Sequence, residues 1–496
     1  MSGTIIRRVP TGIAGLDTIL GGGFLKGGLY IVQGQPGTGK TTLANQICFH
    51  HAAGGGGRAL YVTLLAEYHG RMMLHLGGMS FFDVSKIPDQ VAYLNGFGTL
   101  REGGYPALRD LLRREVTRHG ATILILDGFA TAQRQGAGEQ DFNEFVHELQ
   151  AVAIATGCTM FLLSSAERVK ETPEYTIVDG IVELSDQLIG WASESTLKVV
   201  KLRGTDYLRG RHAFRITAGG LVVYPRIEAL LAGPSRPDPG AVGTVPSGVR
   251  GLDAMLGGGL PGASTTMVVG PSGVGKTTLG MQFLSLCDED EPGLLFGFYE
   301  TQARLRARAN EVCPPLNALL DSGVVEVLWQ PATEGLLDAY GDRLLNAVHR
   351  RGVRRLFIDG LSALQSAAIE ANRFSQYLTA LMNELRVRGV TTVYTAVAPA
   401  LLEASIHAPG GDLTILPDNL VVMRYVQQRS RLHRVMSLVK VRSHDFDPML
   451  YEYVTTGEGL RIEGPFDGAA AAMARQLRAE HSAAVREPGP SERGRG

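Results

Sequence analysis

Gly34-Gln-Pro-Gly-Thr-Gly39-Lys40-Thr41 and Gly270-Pro-Ser-Gly-Val-Gly275-Lys276-Thr277 decide the reading of this chain. Both fit G-x-x-x-x-G-K-[ST], and each follows an apolar run (LYIVQ, TTMVV) and precedes a stretch with helical apolar spacing. Strand, glycine-rich loop and helix in that order build a phosphate cradle. The glycines let successive N–H groups converge on phosphate oxygens, and the helix presents its positive N-terminus. The first nucleotide-binding set is Gly34, Pro36, Gly37, Thr38, Gly39, Lys40, Thr41 and Thr42; the second is Gly270, Ser272, Gly273, Val274, Gly275, Lys276, Thr277 and Thr278. Lys40 and Lys276 are placed to reach the β- and γ-phosphates of ATP, and the hydroxyls of Thr41 and Thr277 to hold Mg²⁺.

Working outward, the two halves repeat. TGIAGLDTILGGG at 11–23 matches SGVRGLDAMLGGG at 247–259, so that Asp17 and Asp253, like Lys40 and Lys276, stand 236 apart. ILILDG ending at Gly128 matches LFIDG ending at Gly360, and KLRG at 201–204 matches KVRS at 440–443. Landmarks in one order at a nearly constant offset mean a duplicated domain, far longer than a solenoid repeat. The expected organisation is a first domain over 4–228, a Pro/Gly-rich linker over 229–243, a second domain over 244–464 and a tail over 465–496. Within each copy, short apolar runs such as RALYVTLL and TMFLLS alternate with segments of helical spacing such as LRDLLRREVTRHG. That alternation predicts an α/β fold: two tandem P-loop NTPase domains with mainly parallel, doubly wound sheets covered on both faces.

Composition sets the outer limits. Lys and Arg number 48 against 49 Asp and Glu, a net charge of -1, which removes the broad electrostatic case for nucleic acid or an anionic membrane. The four cysteines form no CxxC pair, and no run approaches the ~18 apolar residues of a membrane span. A cytoplasmic protein is expected. Glycine, at 63 of 496 residues, exceeds the usual ~7% without any Gly-X-Y period, so tight turns and close approaches are expected instead of collagen.

Asp127 and Asp359 end apolar runs downstream of the two loops, where an aspartate can hold the magnesium. Glu67 and Glu300 follow the second apolar strand of each copy and are the candidate catalytic carboxylates, orienting the water that attacks the γ-phosphate beside Lys40 and Lys276. Lys201 with Arg203, and Lys440 with Arg442, have i, i+2 spacing and no evident role within one subunit. Their recurrence suggests cations acting on a neighbouring subunit's nucleotide, as an arginine finger does.

With these residues in place, the sequence resembles the circadian-clock KaiC family, tandem ATPases of the RecA-like class, over roughly residues 4–464. The resemblance implies a double-ring homo-hexamer with ATP between subunits, slow hydrolysis, Lys201/Arg203 and Lys440/Arg442 acting in trans, and, for some members, Ser/Thr autokinase activity in the second ring. Two departures stand out. The family's adjacent glutamates are reduced to one per copy, the first place being Ala66 or Tyr299. Of the two acceptor hydroxyls before Asp418, the place of one is Thr414, the candidate phosphoacceptor, and the other is Ile415, which argues against a two-site phosphorylation cycle. Two other readings compete: a RecA-like recombination or repair ATPase, and a nucleotide-gated scaffold whose tail recruits a regulatory partner. Against the first, the stretches that follow the Asp-ended strands lack basic–aromatic interleaving, so nucleic acid is not expected as a partner.

Overall fold

The computed structural model describes residues 7–55, 57–65, 69–129, 139–165, 174–233, 243–331, 333, 335–397, 416–428, 430–442 and 445–466. The chain divides into two compact units, Met1–Leu230 and Leu231–Gly496. In the first, a small sheet of β1 (Arg8–Val9) and β2 (Phe24–Leu25) precedes the strands of the main sheet. These are β3 (Leu29–Gly34), β4 (Arg58–Thr63), β5 (Val91–Asn95), β6 (Ala121–Asp127), β7 (Thr159–Ser164), β8 (Gly180–Ile189), β9 (Ala192–Leu202), β10 (Arg211–Thr217) and β11 (Gly220–Tyr224). Their order is β11-β10-β9-β8-β3-β7-β6-β4-β5.

The second unit repeats the plan. β12 (Thr244–Val245) pairs β13 (Leu260–Pro261), and the main sheet holds β14 (Thr265–Gly270), β15 (Gly293–Gly297), β16 (Val325–Trp329), β17 (Arg355–Asp359), β18 (Thr391–Val397), β19 (Asn419–Gln428), β20 (Arg431–Val441), β21 (Tyr451–Thr456) and β22 (Gly459–Pro465). Its order, β16-β15-β17-β18-β14-β19-β20-β21-β22, is the first sheet strand for strand. Six neighbouring strands of each sheet are parallel, from β8 to β5 and from β19 to β16. The remaining three of each sheet extend it as an antiparallel meander. The expected mainly parallel α/β architecture is present twice, with an antiparallel wing beyond it.

Burial on both faces explains the apolar runs. Along β6, Ile123 and Ile125 belong to one core and Leu124 and Leu126 to the other, all four fully buried. Side chains alternate across a strand, so only a strand covered twice can be apolar at every position. The first core packs against helix α1 (Lys40–Ala53), whose Leu43, Ile47 and Phe49 lie in it. The helix after the second loop, α2 (Lys276–Leu284), buries Leu279, Met281 and Phe283 in the same way.

The repeated [TS]G-x-x-GLD pattern has a physical reason as well. Asp17 accepts hydrogen bonds from the Thr11 amide and hydroxyl, both 2.7 Å, and Asp253 accepts from the Ser247 amide at 2.8 Å. Each aspartate thereby ties down the turn that leads into its domain.

Candidate functional site

Each phosphate loop leaves the C-terminal end of a central strand, where the connections on the two sides of the sheet diverge and ligands bind in α/β folds. Gly39 and Gly275 are the N-caps of α1 and α2, with φ of 93° and 111°. That left-handed backbone is what turns the loop amides inward, and it favours glycine strongly.

In the first domain Lys40 curls over the loop and donates to the carbonyls of Gly34 (2.7 Å) and Gln35 (2.8 Å). Thr41 Oγ1 lies 3.4 Å from Asp127 Oδ2. In the second, Lys276 donates to the carbonyls of Gly270 and Pro271, both 2.7 Å, and Thr277 Oγ1 donates to Asp359 Oδ2 at 2.8 Å. Burial pushes both ammonium groups below the ordinary lysine value, while Asp127 and Asp359 pull in the opposite direction. Asp127 and Asp359 do not lie on strands adjacent to the loop strands: β7 and β18 intervene, and it is the first turn of α1 and α2 that reaches across to them. A hydroxyl and a carboxylate converging at the start of a phosphate-cradling helix fit Mg²⁺, which takes one or two protein oxygens and leaves the rest of its shell to phosphate and water.

Two functional residues escaped the sequence reading. Tyr61 on β4 donates its hydroxyl to Asp127 Oδ2 at 2.6 Å. Thr395 on β18 donates to Asp359 Oδ1 at 2.7 Å and accepts the Gly360 amide at 2.9 Å. By strand register, the place of Tyr61 in the second domain is Leu295, and Asp127 pairs with Leu163 where Thr395 stands in the second. The two aspartates are therefore oriented by different neighbours. A tyrosine within an otherwise aliphatic buried strand was the available signal, since a buried phenol needs a partner.

Of the candidate catalytic carboxylates, Glu67 lies outside the described residues, as does the candidate phosphoacceptor Thr414. Glu300 is held by Arg308, whose guanidinium donates to Oε1 at 2.5 Å; its Oε2 is buried with no hydrogen-bond partner among the described residues. Tyr299, in the place of the missing glutamate, shares a 2.9 Å hydrogen bond with Ser362 Oγ and packs its ring against Gly360.

The expectation that the cation pairs have no role within one subunit is corrected. Lys201 donates to the Thr176 carbonyl (3.2 Å), and Arg203 to the carbonyls of Ile177 (3.2 Å) and Thr176. Lys440 donates to the Pro417 carbonyl (2.7 Å), and Arg442 lies 3.6 Å from the Asp418 carboxylate. A β-bulge precedes each pair: Val200 between Val199 and Lys201, and Val439 between Leu438 and Lys440, have no cross-strand partner. Such a bulge re-aims the side chains that follow it.

Among the described residues no helix is long and apolar enough to cross a membrane, and no cluster of three or more His, Cys, Asp or Glu is arranged to hold a metal. The four cysteines are free and buried.

A family model described as "ATPase: KaiC" matches this chain twice, over residues 9–228 and 245–465. The circadian clock oscillator protein KaiC of a Picosynechococcus species is 25% identical over 480 residues, covering 93% of this chain and 90% of that protein. KaiC of Thermosynechococcus vestitus is 25% identical over 482 residues, with 93% and 90% covered. KaiC 1 of a Synechocystis species is 24% identical over 485 residues, again with 93% and 90% covered.

Proposed function

The chain belongs to the KaiC ATPase family through both of its halves, and from that premise we propose that it binds ATP at two sites per chain, hydrolyses it slowly, and works as a nucleotide-dependent regulatory double ring in the cytoplasm. The observation that carries this reading is the duplicated constellation Lys40/Thr41/Asp127 and Lys276/Thr277/Asp359, each assembled at the N-terminus of its helix. The proposed domain limits are those of the sequence: 4–228 and 244–464, joined by 229–243, with the 465–496 tail as the place where a regulatory protein docks.

In this mechanism the loop amides and the helix N-terminus hold the β- and γ-phosphates, and Lys40 or Lys276 leaves its loop carbonyls for the phosphate oxygens. Thr41 with Asp127, and Thr277 with Asp359, would hold Mg²⁺, which when bound supplies charge neutralisation across the β- and γ-phosphates. Glu67 and Glu300 orient the attacking water, Glu300 from the position fixed by Arg308. Lys201, Arg203 and Lys440 exchange main-chain carbonyls, and Arg442 the Asp418 carboxylate, for a neighbour's γ-phosphate and stabilise the charge of the transition state.

The test is ATP hydrolysis measured with and without single-stranded DNA. Turnover indifferent to DNA is expected. Stimulation by DNA would favour a recombination ATPase, and binding without turnover a scaffold.

Autokinase activity at Thr414 is the finer part of the proposal. An acceptor hydroxyl in line with the γ-phosphate would take the place of water, with Glu300 as base. Incubation with γ-labelled ATP followed by mass spectrometry is expected to place label on Thr414 and to lose it in Thr414→Ala. Label elsewhere, or undiminished label in the variant, defeats the assignment.

A further inference from the structure

A cavity of about 350 Å³ opens in the first domain at the end of α1 far from its phosphate loop, lined in part by Arg7, Arg8, Lys26, His50, His51 and Thr122. None of its lining residues is acidic. The cations are Arg7 and Arg8, on β1 and the residue before it, and Lys26, in the turn between β2 and β3; the last turn of α1 adds the imidazoles of His50 and His51. Cations on a helix's last turn complement its dipole, which accounts for His50 and His51 but not for the other three.

The second domain is an internal control. It builds the same small sheet and the same loop–helix unit with Gly243, Thr244 and Gly262 where the first has Arg7, Arg8 and Lys26. Leu286 and Cys287 stand where the first has His50 and His51, and an acidic run, Asp288 to Glu291, follows. The fold itself therefore does not demand the cations. Burial, then the neighbouring His50 and Lys26, push His51 below the ordinary histidine value, so its ring is easily kept neutral.

We propose that this cavity is an anion site separate from both nucleotide sites, taking a small, multiply charged oxyanion that bears phosphates or carboxylates. Two lining residues are held in place: Arg8 donates to the carbonyls of Leu20 (3.1 Å) and Gly23 (3.0 Å) and to Thr205 Oγ1, and His51 Nε2 shares a 2.7 Å hydrogen bond with Thr122 Oγ1. At the rim, Arg7, Lys26 and His50 are exposed and make no side-chain hydrogen bond among the described residues. The His50 ring is seated against the backbone at Gly12 (φ 78°), where a Cβ would fall 2.0 Å from its Cγ. The volume is at the lower end of the ~300–1,000 Å³ of small-molecule pockets, which suits an ion the size of pyrophosphate or citrate.

The test uses the full chain saturated with Mg²⁺ and a non-hydrolysable ATP analogue, so that both phosphate loops are filled. Pyrophosphate and citrate are then titrated separately by calorimetry. One site per chain is expected for at least one of them, weakened by added salt and by roughly tenfold or more in Lys26→Glu and in Arg7→Ser, with analogue binding unchanged. Binding of pyrophosphate alone assigns the site to phosphates, and of citrate alone to carboxylates. No binding of either ion, or affinity unchanged in both variants, overturns the proposal.

Discussion

Asp127 and Asp359 occupy equivalent strand ends, but a tyrosine orients one and a threonine the other. A hydrogen bond to a charged group contributes about 1.5–3 kcal/mol, so losing it is expected to weaken metal binding at that aspartate by roughly ten- to a hundredfold. Tyr61→Phe is expected to raise the Mg²⁺ concentration needed for nucleotide binding at the first site alone, and Thr395→Val at the second alone. A fluorescent ATP analogue, read with the other site disabled, measures this; equal Mg²⁺ dependence of variant and parent would contradict it. Lys40→Ala and Lys276→Ala should each remove one class of nucleotide site, visible as halved stoichiometry in equilibrium binding. Burial lowers the pKa of both lysines in the free protein. Phosphate oxygens raise it again, so binding on the alkaline side takes up protons and weakens as pH rises. The free protein shows the opposite trend, gaining stability with pH in that window, because there the unfolded chain binds more protons. Calorimetry in two buffers of different ionisation heat reads the uptake directly. The loop residues were legible because their spacing is local. Tyr61 and Thr395 were not, because what they touch is set by strand register.

At the scale of elements, the strand that launches each phosphate loop is clamped at its other end. Asp418 accepts from the Thr265 amide and hydroxyl, both 2.9 Å, and from Arg386 at 3.0 Å; Asp179 accepts the Leu29 amide at 2.9 Å in the first domain. Burial alone would raise the pKa of Asp418, but the Thr265 amide and Arg386 outweigh it and hold the carboxyl below its ordinary value. The stability this contributes is present above the unfolded pKa and is lost as pH falls through the depressed one. Asp418→Ala leaves Arg386 and the Thr265 amide without this acceptor. It is expected to cost about 2–4 kcal/mol at neutral pH and less in acid, measured by urea denaturation at both. An equal cost at both pH values would remove the clamp from the account. The parallel core strands could be read from the sequence because burial on both faces leaves an unbroken apolar run, as in β3, β6 and β7. The antiparallel wing could not: β9 opens on exposed and half-buried polar positions, Ser193 and Glu194, and alternates buried and exposed only from Leu197, so its pairing emerges only once β8 is in place. Gln46 and Gln282 were silent for the same reason. Each clips its helix to the main chain of Leu221 or Leu460, some 175 residues away.

For the whole molecule, assembly is the property on which the proposed catalysis depends. Lys201, Arg203 and Lys440 are bonded to main-chain carbonyls, and Arg442 lies near a carboxylate already engaged by Arg386. Neutral carbonyls are weak competitors for a cation against the concentrated charge of a triphosphate. We infer that both cation pairs, each placed by its own bulge, leave these partners for a neighbour's nucleotide, with Arg442 giving up its ion pair with Asp418. In the proposed ring ATP acts as the adhesive between subunits, and the assembly is expected to grow from the 53.2 kDa chain to a hexamer of about 320 kDa when a non-hydrolysable analogue and Mg²⁺ are added. Sedimentation velocity decides the point, and a chain that remains monomeric with saturated sites sinks the ring. Arg203→Ala and Arg442→Ala separate catalysis from adhesion. If the cations act on transition-state charge, hydrolysis at the affected ring falls by about 10³-fold while analogue affinity changes far less. Mixing active-site-dead Lys40→Ala chains with Arg203→Ala chains then provides a direct readout. Activity at the first ring should reappear in the mixture, because a Lys40→Ala chain brings an intact Arg203 to the functional loop of its neighbour. Failure of the mixture to regain activity, with hexamers present, would place Arg203 in its own subunit's chemistry.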